Sequence, residues 1–210
     1  MDLSLYLVTD ARLCRNKGVV ETAREAVDAG VTVVQLRDPD ASDAEIVRQG
    51  RALVSALAGS GVPVLVNDRV HLVAAIGADG AHIGQSDLSV QEARRMLGPD
   101  SYLGLSVQHP EHLVIARRGR PADIDYLGIG PVWAQMTKPD AAAPIGLDGL
   151  RELIASSPWE CVAIGGIDVD RVQAVRASGA AGVAVVSAIC GQPDVGAATR
   201  ELRAAWRAHL

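Results

Sequence analysis

A chain of 210 residues, 49% hydrophobic and 21% charged, is long enough for one large core, and it fits a single α/β domain over 1–210 better than two small ones. Twenty basic against 25 acidic residues leave a net charge of −5, which argues against a broad nucleic-acid surface and confines any anion-binding cations to a local site. No apolar run approaches the ~20 residues that span a bilayer. The start MDLSLYLVTD lacks a basic n-region, and Cys14, Cys161 and Cys190 form no CxxC pair, so reduced thiols in a cytoplasm are expected.

Short apolar runs alternate with segments of helical period. The first run begins near Leu3 and ends in Thr9-Asp10 with no GxGxxG after it. VVETAREAVDAG reads as a helix stopped by Gly30, and a second run begins at Val31. In VTVVQLR, alternation puts Val31, Val33, Gln35 and Arg37 on one face and Val34 and Leu36 on the other. AEIVRQGRALVSALAG is the next helix, Gly61 follows it, and the run from Val62 ends in Asn67-Asp68. RVHLVAAIG reads as a helix, and a run beginning at Asp79 leads into HIGQSD, His82 to Asp87. Ser89 and Glu92 form a capping-box pattern for VQEARRML. YLGLS, from a run beginning at Ser101, places Gly104 and Ser106 on one face, and DYLGIG, from Ile124, places Gly128 and Gly130 there. The stretch Gly130 to Leu147 has neither period and holds three prolines, the mark of a lid or binding loop. Runs beginning at Cys161 and Ala181, separated by VDRVQAVRASG, end AIGGI and VAVVSAI. The arginines of the final helix, Arg200, Arg203 and Arg207, read as a solvated face.

Eight strands alternating with eight helices predict a closed, compact (β/α)8 TIM barrel, with a doubly wound open sheet as the alternative. Chemistry then belongs at the C-terminal strand ends. Gln35 and Arg37 are expected in the barrel mouth, with Arg37 paired because an unpaired buried charge is costly. The small inward residues are expected to leave a cavity. Gly165-Gly166 and Ser187, in the loops after strands seven and eight, mark the usual phosphate site of this fold. Asp68 and Asp87 at neighbouring strand ends could be helix caps. One helix needs only one cap, however, and Ser89 already serves the next, so a two-carboxylate metal site competes evenly with that reading. His82 is as well explained as a barrel histidine satisfied by neighbours as by direct chemistry, and Lys138 draws interest only from the prolines around it.

YLVTD, GVTVVQLRD, VPVLVNDRVHLVAAIGADGAHIGQSD, YLGLSV, DYLGIGPVWAQMTKPDAAAPIGLDGL, VAIGGI and GVAVVSAI resemble, in order and spacing, the motifs of the thiamine phosphate synthases. The resemblance runs from Leu5 to about Ile189. It implies a transferase that joins 4-amino-5-hydroxymethyl-2-methylpyrimidine diphosphate to a thiazole phosphate and releases diphosphate with Mg²⁺. By that resemblance Asp68 and Asp87 hold Mg²⁺, while Arg37, Asn67 and Lys138 grip the diphosphate. Gln35, His82 and Ser106 line the pyrimidine pocket, with Arg37, Asn67, Lys138 and Ser106 closest to the chemistry. Thr137 and the backbone of Gly166, Val186 and Ser187 hold the thiazole phosphate, and Gln135 stands at a further substrate-binding position. Hard oxygen ligands suit Mg²⁺ better than Zn²⁺. Two positions depart from the family pattern: Pro39 stands where a lysine is usual, and Gln135 where a threonine is common. A thiazole tautomerase and a non-catalytic phosphate-binding barrel stay open as alternatives, as does a homo-oligomer.

Overall fold

Eight aliphatic runs pair into one sheet, and all of them are short. The computed structural model describes residues 1–135 and 142–208. Within them β1 (Leu5–Val8), β2 (Val33–Leu36), β3 (Val64–Asn67), β4 (Gly80–Ile83), β5 (Tyr102–Val107), β6 (Tyr126–Ile129), β7 (Cys161–Ile164) and β8 (Gly182–Val185) pair in chain order, and β8 closes on β1. Every pairing is parallel, so every connection must cross the sheet. The crossovers carry α1 (Val19–Ala29), α2 (Asp43–Ala56), α3 (Val73–Ile76), α4 (Val90–Leu97), α5 (Pro110–Ala116), α6 (Gly146–Ala155), α7 (Val172–Arg176) and α8 (Val195–Arg207). This is the (β/α)8 barrel expected from the alternation.

Strand alternation divides the core in two. Outward residues such as Leu7, Val34, Leu36, Val66, Ile83 and Leu127 pack under the helices. Inward residues, among them Tyr6, Val8, Val33, Leu65, Tyr126 and Val162, fill the barrel. Local signals set the helix ends. Both partners of the capping boxes Ser42/Glu45 and Ser89/Glu92 are in place, and Gly30 at φ 120° turns α1 off with its N–H on the Ala26 and Val27 carbonyls.

Three expectations change. RVHLVAAIG forms a 3₁₀ turn over Val70–Leu72 and only four α-helical residues, in keeping with its β-branched positions 70, 73 and 76 and its stop at Gly77. VDRVQAVRASG shrinks to the five residues of α7. Arg203 is no solvated residue: it donates to Ser4 Oγ and lies 4.0 Å from the Asp2 carboxylate, tying α8 to the chain start. Cys14 and Cys190, distant in sequence, are both free thiols buried in the core, and Cys190 Sγ donates to the Val8 carbonyl at 3.8 Å. No helix among the described residues is long and apolar enough to cross a membrane.

Candidate active site

The C-terminal ends of the strands surround one cavity of about 150 Å³. Gln35, Arg37, Asn67, His82, Ser106, Gln135, Gly166, Val186 and Ser187 all line it. Nine of the residues singled out in the sequence thus meet at one place. Thr137 and Lys138 lie outside the described residues.

The floor is a row of polar side chains from five strands. Gln35 Nε2 donates to Tyr6 Oη at 2.8 Å, and Tyr6 Oη lies 2.7 Å from Tyr126 Oη. Tyr126 Oη is 2.9 Å from His82 Nδ1, and His82 Nε2 is 2.9 Å from Ser106 Oγ. Burial raises both tyrosine hydroxyls well above the usual phenol range, so both stay protonated. Sequence reasoning missed Tyr6 and Tyr126. The signal that could have found them is parity, since Tyr6 shares the inward face with Val8, and Tyr126 with Gly128. The space vacated at Gly104 is not open, as a Cβ there would lie 2.4 Å from both Tyr126 Oη and His82 Nδ1.

One rim is built for charge. Arg37 follows β2 and is half-buried, its backbone N–H held by Thr9 Oγ1 at 3.0 Å. Its guanidinium was expected to be paired, yet it has no hydrogen bond or ion pair to any described residue. At the solvated mouth this costs little and leaves a cation facing the cavity. Asn67 ends β3 and donates from Nδ2 to Asp68 Oδ2 at 2.6 Å. Asp68 is no helix cap. It sits at φ 58°, a left-handed conformation that a non-glycine residue adopts at a cost and that clusters at functional sites. Asp87, which seemed free of any structural task, accepts the Gly84 N–H at 2.7 Å and closes the turn after β4. The two carboxylates are hard oxygen donors, exposed and held at neighbouring strand ends, and that chemistry fits Mg²⁺. No group of three or more His, Cys, Asp or Glu suited to a metal occurs among the described residues, so an ion here would complete its shell with ligand oxygens and water.

The opposite rim is backbone. Gly165 (φ 103°) and Gly166 (φ 65°) allow the loop after β6 to approach, since a Cβ on Gly165 would meet Pro131 at 2.5 Å and one on Gly166 the Ala134 carbonyl at 2.7 Å. Val132 and Trp133 accordingly donate to the Ile164 and Gly165 carbonyls. Arg171 stacks over the Trp133 ring and donates to the Gly166 carbonyl, bracing the same junction. The N–H groups of Gly166, Val186 and Ser187 find no acceptor among the described residues, which leaves them for an anion.

A family model described as thiamine monophosphate synthase matches residues 5–189. The thiamine-phosphate synthase of Azorhizobium caulinodans is 47% identical over 96% of this chain and 94% of its own length. That of Psychrobacter sp. is 48% identical over 91% and 90%. The structure of the thiamine phosphate pyrophosphorylase of Pyrococcus furiosus superposes with a TM-score of 0.86, at 36% identity and with 98% and 96% of the two chains covered. With its cavity ringed by the residues that first suggested the resemblance, the chain belongs to the thiamine monophosphate synthase family.

Proposed function

We propose that this transferase couples 4-amino-5-hydroxymethyl-2-methylpyrimidine diphosphate to a thiazole phosphate, forming thiamine phosphate and diphosphate with Mg²⁺. The observation that supports the reading is that hydrogen-bond donors line two opposite rims of one cavity. Arg37 and Asn67 stand on one side, and on the other the N–H groups of Gly166, Val186 and Ser187, which have no acceptor among the described residues. A substrate pair with a phosphorylated end on each partner needs that arrangement.

Diphosphate leaves only if the charge building on it is neutralised. Arg37 supplies a fixed cation, Asn67 a donor that also steadies Asp68, and Lys138 a second cation. Asp68 and Asp87 would hold Mg²⁺, which supplies Lewis-acid stabilisation of the leaving group. Departure leaves a cation stabilised by the pyrimidine ring, which the thiazole nitrogen attacks, so no protein nucleophile is required. Gln35, His82 and Ser106 orient the pyrimidine, and Gln135, Thr137 and the backbone of Gly166, Val186 and Ser187 hold the thiazole phosphate. Pro39, exposed in the turn after Arg37, offers neither charge nor N–H, so the diphosphate grip falls to Arg37 and Lys138.

The test is a coupling assay with Mg²⁺ titrated. Thiamine phosphate and diphosphate should form one for one, and Asp68→Asn and Asp87→Asn should each raise the half-saturating Mg²⁺ by about tenfold or more. An unchanged half-saturation in both variants would remove the shared ion. Thiazole tautomer conversion without coupling would put an isomerase in place of the synthase.

A further inference from the structure

The polar row on the barrel floor has a direction. A glutamine side-chain nitrogen carries hydrogens and no lone pair, so Gln35 Nε2 at 2.8 Å from Tyr6 Oη must donate. Tyr6 is 1% exposed, and its single proton needs an acceptor; Tyr126 Oη at 2.7 Å is the acceptor the described residues offer. Having accepted from Tyr6, Tyr126 turns its own proton to His82 Nδ1 at 2.9 Å. A neutral imidazole that accepts at Nδ1 carries its proton on Nε2. That Nε2–H faces Ser106 Oγ at 2.9 Å. Ser106, its oxygen already accepting, has its own O–H left to donate, and Ser106 lines the cavity. The strands make room for the row: a Cβ on Gly104 would strike Tyr126 and His82, and one on Gly128 would come within 2.9 Å of His82 Cε1.

We propose that Tyr126 is a positioning residue that locks His82 as its Nε2–H tautomer, so that Ser106 meets the ligand as a hydrogen-bond donor and the pocket selects a ring nitrogen with a free lone pair at that point. The ligand half of this inference rests on the pyrimidine-pocket reading above. The tautomer half does not, because it is a property of the free protein.

Histidine-selective ¹⁵N NMR of the free, full-length protein at mildly alkaline pH tests it, with His82 assigned by its loss in His82→Gln. The expected pattern is a pyridine-like Nδ1 and a pyrrole-like Nε2. The reverse pattern, an averaged pair, or two pyrrole-like nitrogens would each overturn the proposal. In Tyr126→Phe the two shifts should move toward a common average; a pattern unmoved in that variant would show that Tyr126 does not set the tautomer. Kinetically, Tyr126→Phe should raise KM for the pyrimidine diphosphate about three- to tenfold, the loss of one uncharged hydrogen bond, and leave KM for the thiazole phosphate in place. Tyr6→Phe acts one link upstream and should do the same, with the double variant no worse than either single one. Should Tyr126→Phe fail to fold, Tyr6→Phe carries both readouts. A variant that lowers Tm but leaves the ¹⁵N pattern and both KM values unchanged reduces Tyr126 to a packing residue and sinks the lock. The expected ¹⁵N pattern in a protein that does not couple the two substrates would uphold the lock and remove only the synthase reading.

Discussion

A Cβ built on Gly104 would stand 2.2 Å from the Tyr126 ring and 2.4 Å from His82 Nδ1, atoms held in place by the hydrogen bonds on either side of them. Neither ring can retreat without cost, because Tyr126 is fully buried and packs against Tyr6 with centroids 5.8 Å apart. Gly104→Ala is therefore expected to cost about 1–3 kcal/mol of stability, the range for overpacking a filled core, read as a lower urea midpoint. It should also weaken pyrimidine binding, since the rings that must move carry Ser106 with them. Strand alternation correctly placed Gly104 and Gly128 on the inward face, and with them Gln35 and Ser106. It could not say what fills the space a missing side chain leaves, because parity fixes a direction and not a partner. Arg37 failed for a related reason: the rule that a buried arginine must be paired is sound, but burial at a strand end depends on how wide the mouth is. Asp68 shows the third limit, since its left-handed φ of 58° leaves no trace in composition or spacing.

Between elements, Arg94 of α4 does the work of a rivet. It is 8% exposed, and its guanidinium donates to the Asp123 carbonyl at 3.0 Å, the Gly98 and Ser101 carbonyls at 2.9 and 2.6 Å, and the Asp125 carboxylate at 2.7 Å. Asp125 in turn accepts the Leu103 N–H at 2.7 Å, so one side chain fastens the end of α4 to the starts of β5 and β6. Replacing it with methionine would leave three carbonyls and a carboxylate without their donor. The expected loss is about 3–5 kcal/mol, measured by denaturant unfolding. Lysine should recover only part of this, because one ammonium cannot reproduce a planar fork. The folded fraction of Arg94→Met should keep its turnover, since the rivet sits at the N-terminal strand ends, away from the cavity. VQEARRML showed its capping box plainly. It did not show which of two adjacent arginines turns inward, a choice made by carbonyls that belong to distant segments. The short helices were harder to foresee for a similar reason. A crossover needs only to span the sheet and cover it, so α3 and α7 are no longer than their part of the core requires.

At the scale of the molecule, eight strands alternating with helices were legible because every β/α unit repeats the same hydrophobic rhythm. Closure is the one step that no local rhythm encodes. Leu5, Tyr6 and Leu7 of β1 pair with Val183, Ala184 and Val185 of β8, and Arg203 reaches back to Ser4. The fit is close enough that a Cβ on Gly182 would lie 1.7 Å from the Leu3 carbonyl. A chain ending at Gly179 would lack β8 and α8 and leave β1 and β7 as open edges. It should show no cooperative urea transition by circular dichroism, whereas a single sharp transition would mean that seven strands suffice. The same seam orders events during synthesis. β1 is made before every other strand of the barrel, and its partner β8 after every other. At about 5–20 residues per second, β1 waits on the order of ten to forty seconds for that partner. Throughout that interval its unpaired side is an aliphatic edge open to any other nascent chain. Its brevity, four residues between Asp2-Leu3-Ser4 and Thr9-Asp10, limits what such an encounter can gain.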